Sequence, residues 1–224
     1  MIVLVAHGTR DPAGPPVIAD LAARVQADAG VPVRVAYADV LAPNVTTVLR
    51  SVRGPAVVIP AFLASGYHVR TDIPAQIVAS GHRNTVLTDA FGPAPELIDA
   101  MCDRLNWAGY RRSDAVVLAA AGSSDPRALA EVRAAAAALS STLDVPVRVG
   151  YAATARPSVA DAVAFARGRG RRVAVASWLL APGLFQRRVD ATGADVVAEP
   201  LGAHPGVVDL ILRRYEQAVQ LVAA

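Results

Sequence analysis

The chain contains no lysine: its 22 Lys/Arg positions are all arginine, set against 19 acidic residues for a formal net charge of +3. The arginine load, together with the abundant Ala, Val, Gly and Pro, fits the codon bias of a GC-rich genome. Every strong cation is therefore a planar guanidinium fork, a shape suited to carboxylates and phosphates. Cysteine is nearly absent. The single Cys102 excludes an intrachain disulfide and a cysteine-ligated iron–sulfur cluster within one chain, and it reads as a buried helix cysteine. Aromatics make up only 5% of a chain that is 54% hydrophobic, so the core must be built from Ala, Val, Leu and Ile. No apolar run reaches the roughly 18–20 residues of a membrane span. The N-terminus enters a strand pattern at once, without the features of a signal peptide. These absences point to a cytoplasmic chain with no membrane partner. Nucleic acid is also not expected, because the arginines are scattered and lack aromatic interleaving.

What is present is an internal repeat. IVLVAHGTRDP at 2–12 returns as VVLAAAGSSDP at 116–126. PVRVAYADVLAPNV at 32–45 returns as PVRVGYAATARPSV at 146–159, and FGPAPELID at 91–99 returns as LGAHPGVVD at 201–209. A period of about half the chain predicts two similar lobes, at 1–110 and 111–224, joined near Gly109 to Ser113. Two histidines are lost in the copy. His7 stands opposite Ala121, and His68 stands opposite Phe185. That asymmetry predicts a single active site, carried mainly by the first lobe.

Apolar runs alternate with helical spacing. Strands are expected at 2–6, 33–38, 56–63 and 85–88. Helices are expected after Pro15-Pro16, after Asn44 and over 95–105. The second lobe repeats the order, with helices over 126–142, 158–167 and about 205–222. Such alternation implies an α/β fold with parallel sheets, right-handed crossovers and helices on both faces.

Ligands of open parallel sheets bind beyond the carboxyl ends of the strands. His7 follows the first strand, Asp39 ends the second, and His68 follows the third after a short loop. All three are expected on one rim. Two imidazoles and a carboxylate suit a divalent metal, proton transfer near pH 7, or a phosphate. A histidine phosphatase needs arginine immediately before the histidine, and here Ala6 stands there. The Gly-rich dinucleotide fingerprint and the nucleophile elbow of serine hydrolases are both absent. Arg10 and Arg70 flank the two histidines, while Ser123 and Ser124 replace Thr9 and Arg10 in the copy. Guanidinium and hydroxyl donors in these places suit a ligand with several carboxylates. His204 reads as a local turn or capping histidine.

VAHGTRDP, YADVLAP, IPAFLASGYHVRTDIP and GSSDP followed by ARPSV together resemble the sirohydrochlorin chelatases, in their long form with both halves on one polypeptide. The resemblance covers nearly the whole chain. It implies two lobes, each a mainly parallel four-stranded sheet flanked by helices. It also implies insertion of a divalent metal into sirohydrochlorin, a macrocycle with eight carboxylates, with no organic cofactor. His7 and His68 match the family's metal-site histidines. Asp39 matches an acidic position that is commonly glutamate, and the shorter side chain reduces its reach. The resemblance makes His7, His68 and Asp39 the catalytic candidates and Arg10, Arg70, Ser123 and Ser124 the substrate-binding candidates. Iron is the favoured metal. Cobalt insertion and a non-catalytic tetrapyrrole or metal carrier are the alternatives. A fused pair of lobes is expected to work as a monomer.

Overall fold

The computed structural model describes residues 1–168 and 170–223. The chain runs β1 (Ile2–Ala6), α1 (Gly14–Ala29), β2 (Val33–Tyr37), α2 (Val45–Arg50), β3 (Ala56–Pro60), α3 (Ile73–Ser80), β4 (Thr85–Leu87) and α4 (Pro95–Trp107). The second repeat follows as β5 (Ala115–Ala120), α5 (Pro126–Leu143), β6 (Val147–Tyr151), α6 (Val159–Arg167), β7 (Val173–Trp178), α7 (Leu184–Asp190), β8 (Val196–Val197) and α8 (Pro205–Ala223). One sheet has the order β2-β1-β3-β4 and the other β6-β5-β7-β8. Every pairing is parallel. The α/β class and the four-stranded sheets are those expected from the alternating pattern.

The central strands explain why this pattern reads so cleanly. All five residues of β1 and all six of β5 are buried. A parallel strand covered on both faces has no polar side to alternate with, so it is continuously apolar. Leu49 of α2 and Val58 of β3 lie fully buried in one core cluster with Ile73. Truncating such a residue, as in Leu49→Ala, costs about 2–5 kcal/mol. The equivalent cluster of the second repeat gathers Val117, Val163, Val175 and Val189.

The two short helices α3 and α7, of eight and seven residues, carry little periodic signal and were not expected. A π-helical turn over His68–Asp72 leads into α3. No such turn precedes α7, which is α-helical from Leu184.

The division by packing differs from the division by repeat. One compact unit is Met1–Gly92 with Gly202–Ala224, and the other is Pro93–Leu201. Helix α4 packs on β7 and α5, whereas α8 packs on α1 and β3. The closing helix of each repeat thus belongs to the other unit. An arginine at the same repeat position holds each one: Arg104 Nη2 donates to the Leu201 carbonyl at 3.0 Å, and Arg214 Nη2 to the Ala90 carbonyl at 3.2 Å. The boundary expected near residue 110 marks sequence kinship, while burial of the helix faces sets the units.

Candidate functional site

The first unit brings His7 and His68 together. His7 directly follows β1. Its carbonyl accepts from the Asp39 N–H at 3.0 Å, continuing the pairing made by Ala6 with Ala38 at 2.9 Å. Gly8 has φ 93°, and a Cβ there would collide with the Asp39 carbonyl oxygen. Only glycine lets the chain leave β1 this way. His68 opens the π-helical turn, and such turns are frequent at functional sites. The two imidazole centroids lie 4.7 Å apart at an interplanar angle of 87°. Phe62 stands 6.1 Å from each ring, and Tyr67 stands 5.7 Å from His68.

The hydrogen bonds of the rings assign their tautomers. His7 Nδ1 lies 3.0 Å from the Gly8 carbonyl, which can only accept, so Nδ1 carries the proton. His68 Nδ1 lies 2.9 Å from Asp72 Oδ2, a carboxylate that again takes the proton-bearing nitrogen. In the neutral ring of each, Nε2 is therefore the nitrogen that bears the lone pair. Burial alone would raise the Asp72 pKa, but hydrogen bonds from Gln76 and His68 outweigh it and hold the carboxyl below its ordinary value. A carboxylate behind an imidazole fixes ring orientation and raises ligand basicity. Asp72 was not singled out in the sequence. The signal that finds it is His-x-x-x-Asp spacing, one helical turn apart.

Asp39 reaches the expected rim at the end of β2. Its backbone lies beside His7, but its exposed carboxylate accepts from the Val40 N–H at 2.7 Å. Val40 has φ 68°, and this left-handed turn folds the carboxylate back on its own loop. Among the described residues, no group of three or more His, Cys, Asp and Glu side chains is arranged to hold a metal. The expected metal pair, His7 and His68, stands together on this rim.

Arg10 is exposed. Arg70 is exposed too, and its Nε donates to the Ser65 carbonyl at 2.6 Å, bracing the loop before His68. In the second unit the Ser123 hydroxyl accepts from the Asp125 N–H at 3.0 Å, as Thr9 accepts from Asp11 at 3.1 Å. Ser124 is exposed. Gly122 has φ 96° and repeats the close approach of Gly8, here to the Ala153 carbonyl. The frame survives in the second repeat while Ala121 and Phe185 replace the imidazoles.

The remaining histidines serve local structure. His204 is buried, and its Nδ1 accepts from the Gly206 N–H at 3.1 Å at the start of α8, as expected of a capping residue. His82 Nδ1 lies 2.8 Å from the Thr85 hydroxyl. Cys102 is half-buried on α4. Burial, then the charges of Asp99 and Asp103, push its thiol pKa up, which disfavours the reactive thiolate. Among the described residues no helix is long and apolar enough to cross a membrane.

The CbiX family model matches residues 1–108 and again 115–218, once per repeat. Among solved structures, SirB from Bacillus subtilis with Fe3+ is 23% identical, covers 97% of this chain and 94% of its own, and superposes with a TM-score of 0.81. SirB from Bacillus subtilis subspecies spizizenii, a sirohydrochlorin chelatase in complex with cobalt, is 22% identical, with coverage of 98% and 94% and a TM-score of 0.79. A CbiX described as the terminal enzyme for biosynthesis of siroheme in denitrifying bacteria is 24% identical, with coverage of 97% and 98% and a TM-score of 0.75. At these identities the likeness establishes the fold. A search of curated proteins finds no match.

Proposed function

The chain belongs to the CbiX family, and from that premise we propose that it inserts a divalent metal into sirohydrochlorin. One observation carries the reading: two imidazoles 4.7 Å apart, each hydrogen-bonded through Nδ1, occur in the first repeat and are missing from the second. Imidazole nitrogens suit ferrous, cobaltous and neighbouring ions. A pair leaves coordination positions open, as a site must when the metal is a substrate to be handed on. Insertion releases two pyrrole protons for each metal ion taken up, so charge and atoms balance. As the ion leaves, His7 and His68 regain free lone pairs and can accept those protons.

The macrocycle's carboxylates need cations. Arg10 and Arg70 are exposed beside the histidines, and guanidinium binds carboxylate in bidentate geometry. We extend the proposal to these two arginines as substrate clamps. Ser123 and Ser124 remain hydroxyl candidates for the same substrate. Because its carboxylate is engaged by Val40, Asp39 fits a proton-accepting or loop-shaping role better than metal ligation. Holding the ring and the ion in register accounts for part of the barrier lowering.

Iron is the metal we favour, supported by a relative described with siroheme biosynthesis. Cobalt is the second reading, supported by a relative solved with cobalt. The test is anaerobic turnover. Sirohydrochlorin is mixed with ferrous or cobaltous ion, and the absorbance change is followed with and without enzyme. Faster insertion of ferrous ion supports the proposal. Binding of sirohydrochlorin and metal without any acceleration would replace it with the carrier reading.

A further inference from the structure

His68 does not hold its own orientation. Asp72 accepts its Nδ1 proton with Oδ2, and the other carboxylate oxygen, Oδ1, is held by Gln76 Nε2 at 3.0 Å. The same amide nitrogen reaches the Ala38 carbonyl at 3.2 Å. Gln76 Oε1 accepts from the Val45 N–H at 3.0 Å, and its backbone carbonyl accepts from the Thr46 hydroxyl at 2.9 Å. This set leaves one amide orientation, because a flipped amide would face the Val45 N–H with another N–H. His68, Asp72 and Gln76 stand four residues apart in turn, so the π-helical turn and α3 carry them as a chain of bonds along one face.

We propose that Gln76 is a positioning residue of the site: through Asp72 it fixes the Nε2 lone pair of His68 outward, and through Ala38 and Val45 it locks that setting to the loop bearing Asp39. The proposal rests on reading His68 as a metal-holding group. The second repeat supports it. There Phe185 replaces His68, and the residue four further on is Val189, fully buried in the core. The carbonyl of Ala152 stands in the place of Ala38, since both residues pair back to the strand before them. Arg188 Nη1 caps it at 2.8 Å. The loop can be held without a Gln76 counterpart, and the one carboxyl–amide pair described on α7, Gln186 Nε2 to Asp190 Oδ1 at 2.8 Å, stands one position out of register with His68 and Asp72 and backs no imidazole.

The test uses Gln76→Met, which keeps volume, and Gln76→Glu, which keeps the acceptor for Val45 but cannot donate to Asp72. Cobaltous ion is titrated into each folded chain, alone and in an Asp72→Ala background. Losing an outer partner of a ligating histidine typically costs 10–100-fold in metal affinity. We expect about tenfold weaker cobalt binding in both single variants. No further loss is expected when Gln76→Met is added to Asp72→Ala, because both act through one bond chain. In the metal-free chain, NMR shifts of the His68 ring nitrogens at one fixed pH should change from a single tautomer to a mixture. Unchanged ring shifts in both variants, or losses that multiply in the double variant, would overturn the proposal. The ring shifts are read without metal, so a native chain that binds no cobalt would contradict the metal reading, while the ring shifts still decide the role of Gln76.

Discussion

After β1, Gly8 adopts φ 93° and passes against the Asp39 carbonyl; after β5, Gly122 adopts φ 96° and passes against the Ala153 carbonyl. Thr9 and Ser123 each accept from the backbone N–H of the aspartate two residues on. Asn44 caps α2 and Ser158 caps α6 with side-chain oxygens. The turn architecture is therefore common to both repeats, and what separates them is the cargo of the turn. The first repeat holds His7 and a π-helical turn bearing His68 and Asp72; the second holds Ala121 and an α-helix bearing Phe185 and Val189. A scaffold function would need the same residues in both. The difference teaches that the glycine turn and helix caps build the rim whether or not an imidazole pair stands on it.

The largest expected effect breaks the comparison outright. His7→Ala and His68→Ala should each lower metal insertion by roughly a hundredfold or more, as for loss of a principal acid–base group. Neither change touches the core, so both variants should stay folded; His7→Ala should melt near the native chain and His68→Ala somewhat below it, because it removes the hydrogen bond to Asp72. Initial rates and thermal melting measured on the same preparations check both statements. A near-native rate in either variant would remove that histidine from the mechanism.

Asp72→Asn sharpens the same contrast. The amide cannot accept as a carboxylate does, so cobalt affinity should fall about tenfold, at the lower end for outer-sphere partners. The sign of its pH effect follows from its lowered pKa. A carboxyl held below its ordinary value stabilises the fold above the unfolded pKa of about 3.9. That contribution disappears as pH falls through the lowered native value. The melting-temperature gap between native and Asp72→Asn chains should therefore be full near neutral pH and close in acid. A gap that widens on acidification would contradict the assignment.

The shared frame should respond equally in both repeats. Gly8→Ala and Gly122→Ala should each cost about 1–3 kcal/mol from backbone strain, plus the relief of a backbone collision. Only Gly8→Ala should also weaken metal binding. Smaller still, Asn44→Ala and Ser158→Ala should each cost about 1 kcal/mol as lost helix caps, with no effect on metal binding from the second. Denaturant melts paired with cobalt titration separate frame from cargo.

Much of this was legible in the chain. Buried parallel strands announce themselves as unbroken apolar runs, and the two histidines that the second repeat lacks were legible as candidates that the fold brings together. His204 was legible as a local cap because it stands just before the helix proline. Three features were not. The short helices α3 and α7 lack enough turns to show a period. The exchange of α4 and α8 follows from burial of helix faces, to which repeat similarity is blind. The placement of Asp39 depends on the left-handed backbone at Val40, an unusual conformation for a β-branched residue and one that its identity does not suggest. Asp72 and Gln76 were legible at four-residue spacing from His68, a signal that a search for His, Asp39 and Arg on the strand ends passes over.

The central claim is that one repeat, and only one, carries the metal-handling pair. Titration of the intact chain with cobaltous ion, followed by calorimetry, tests it most directly. The account predicts a single site per chain that vanishes in the His7→Ala, His68→Ala double variant and persists in Phe185→Ala. Two equivalent sites per chain, or a site that survives loss of both histidines, would contradict it.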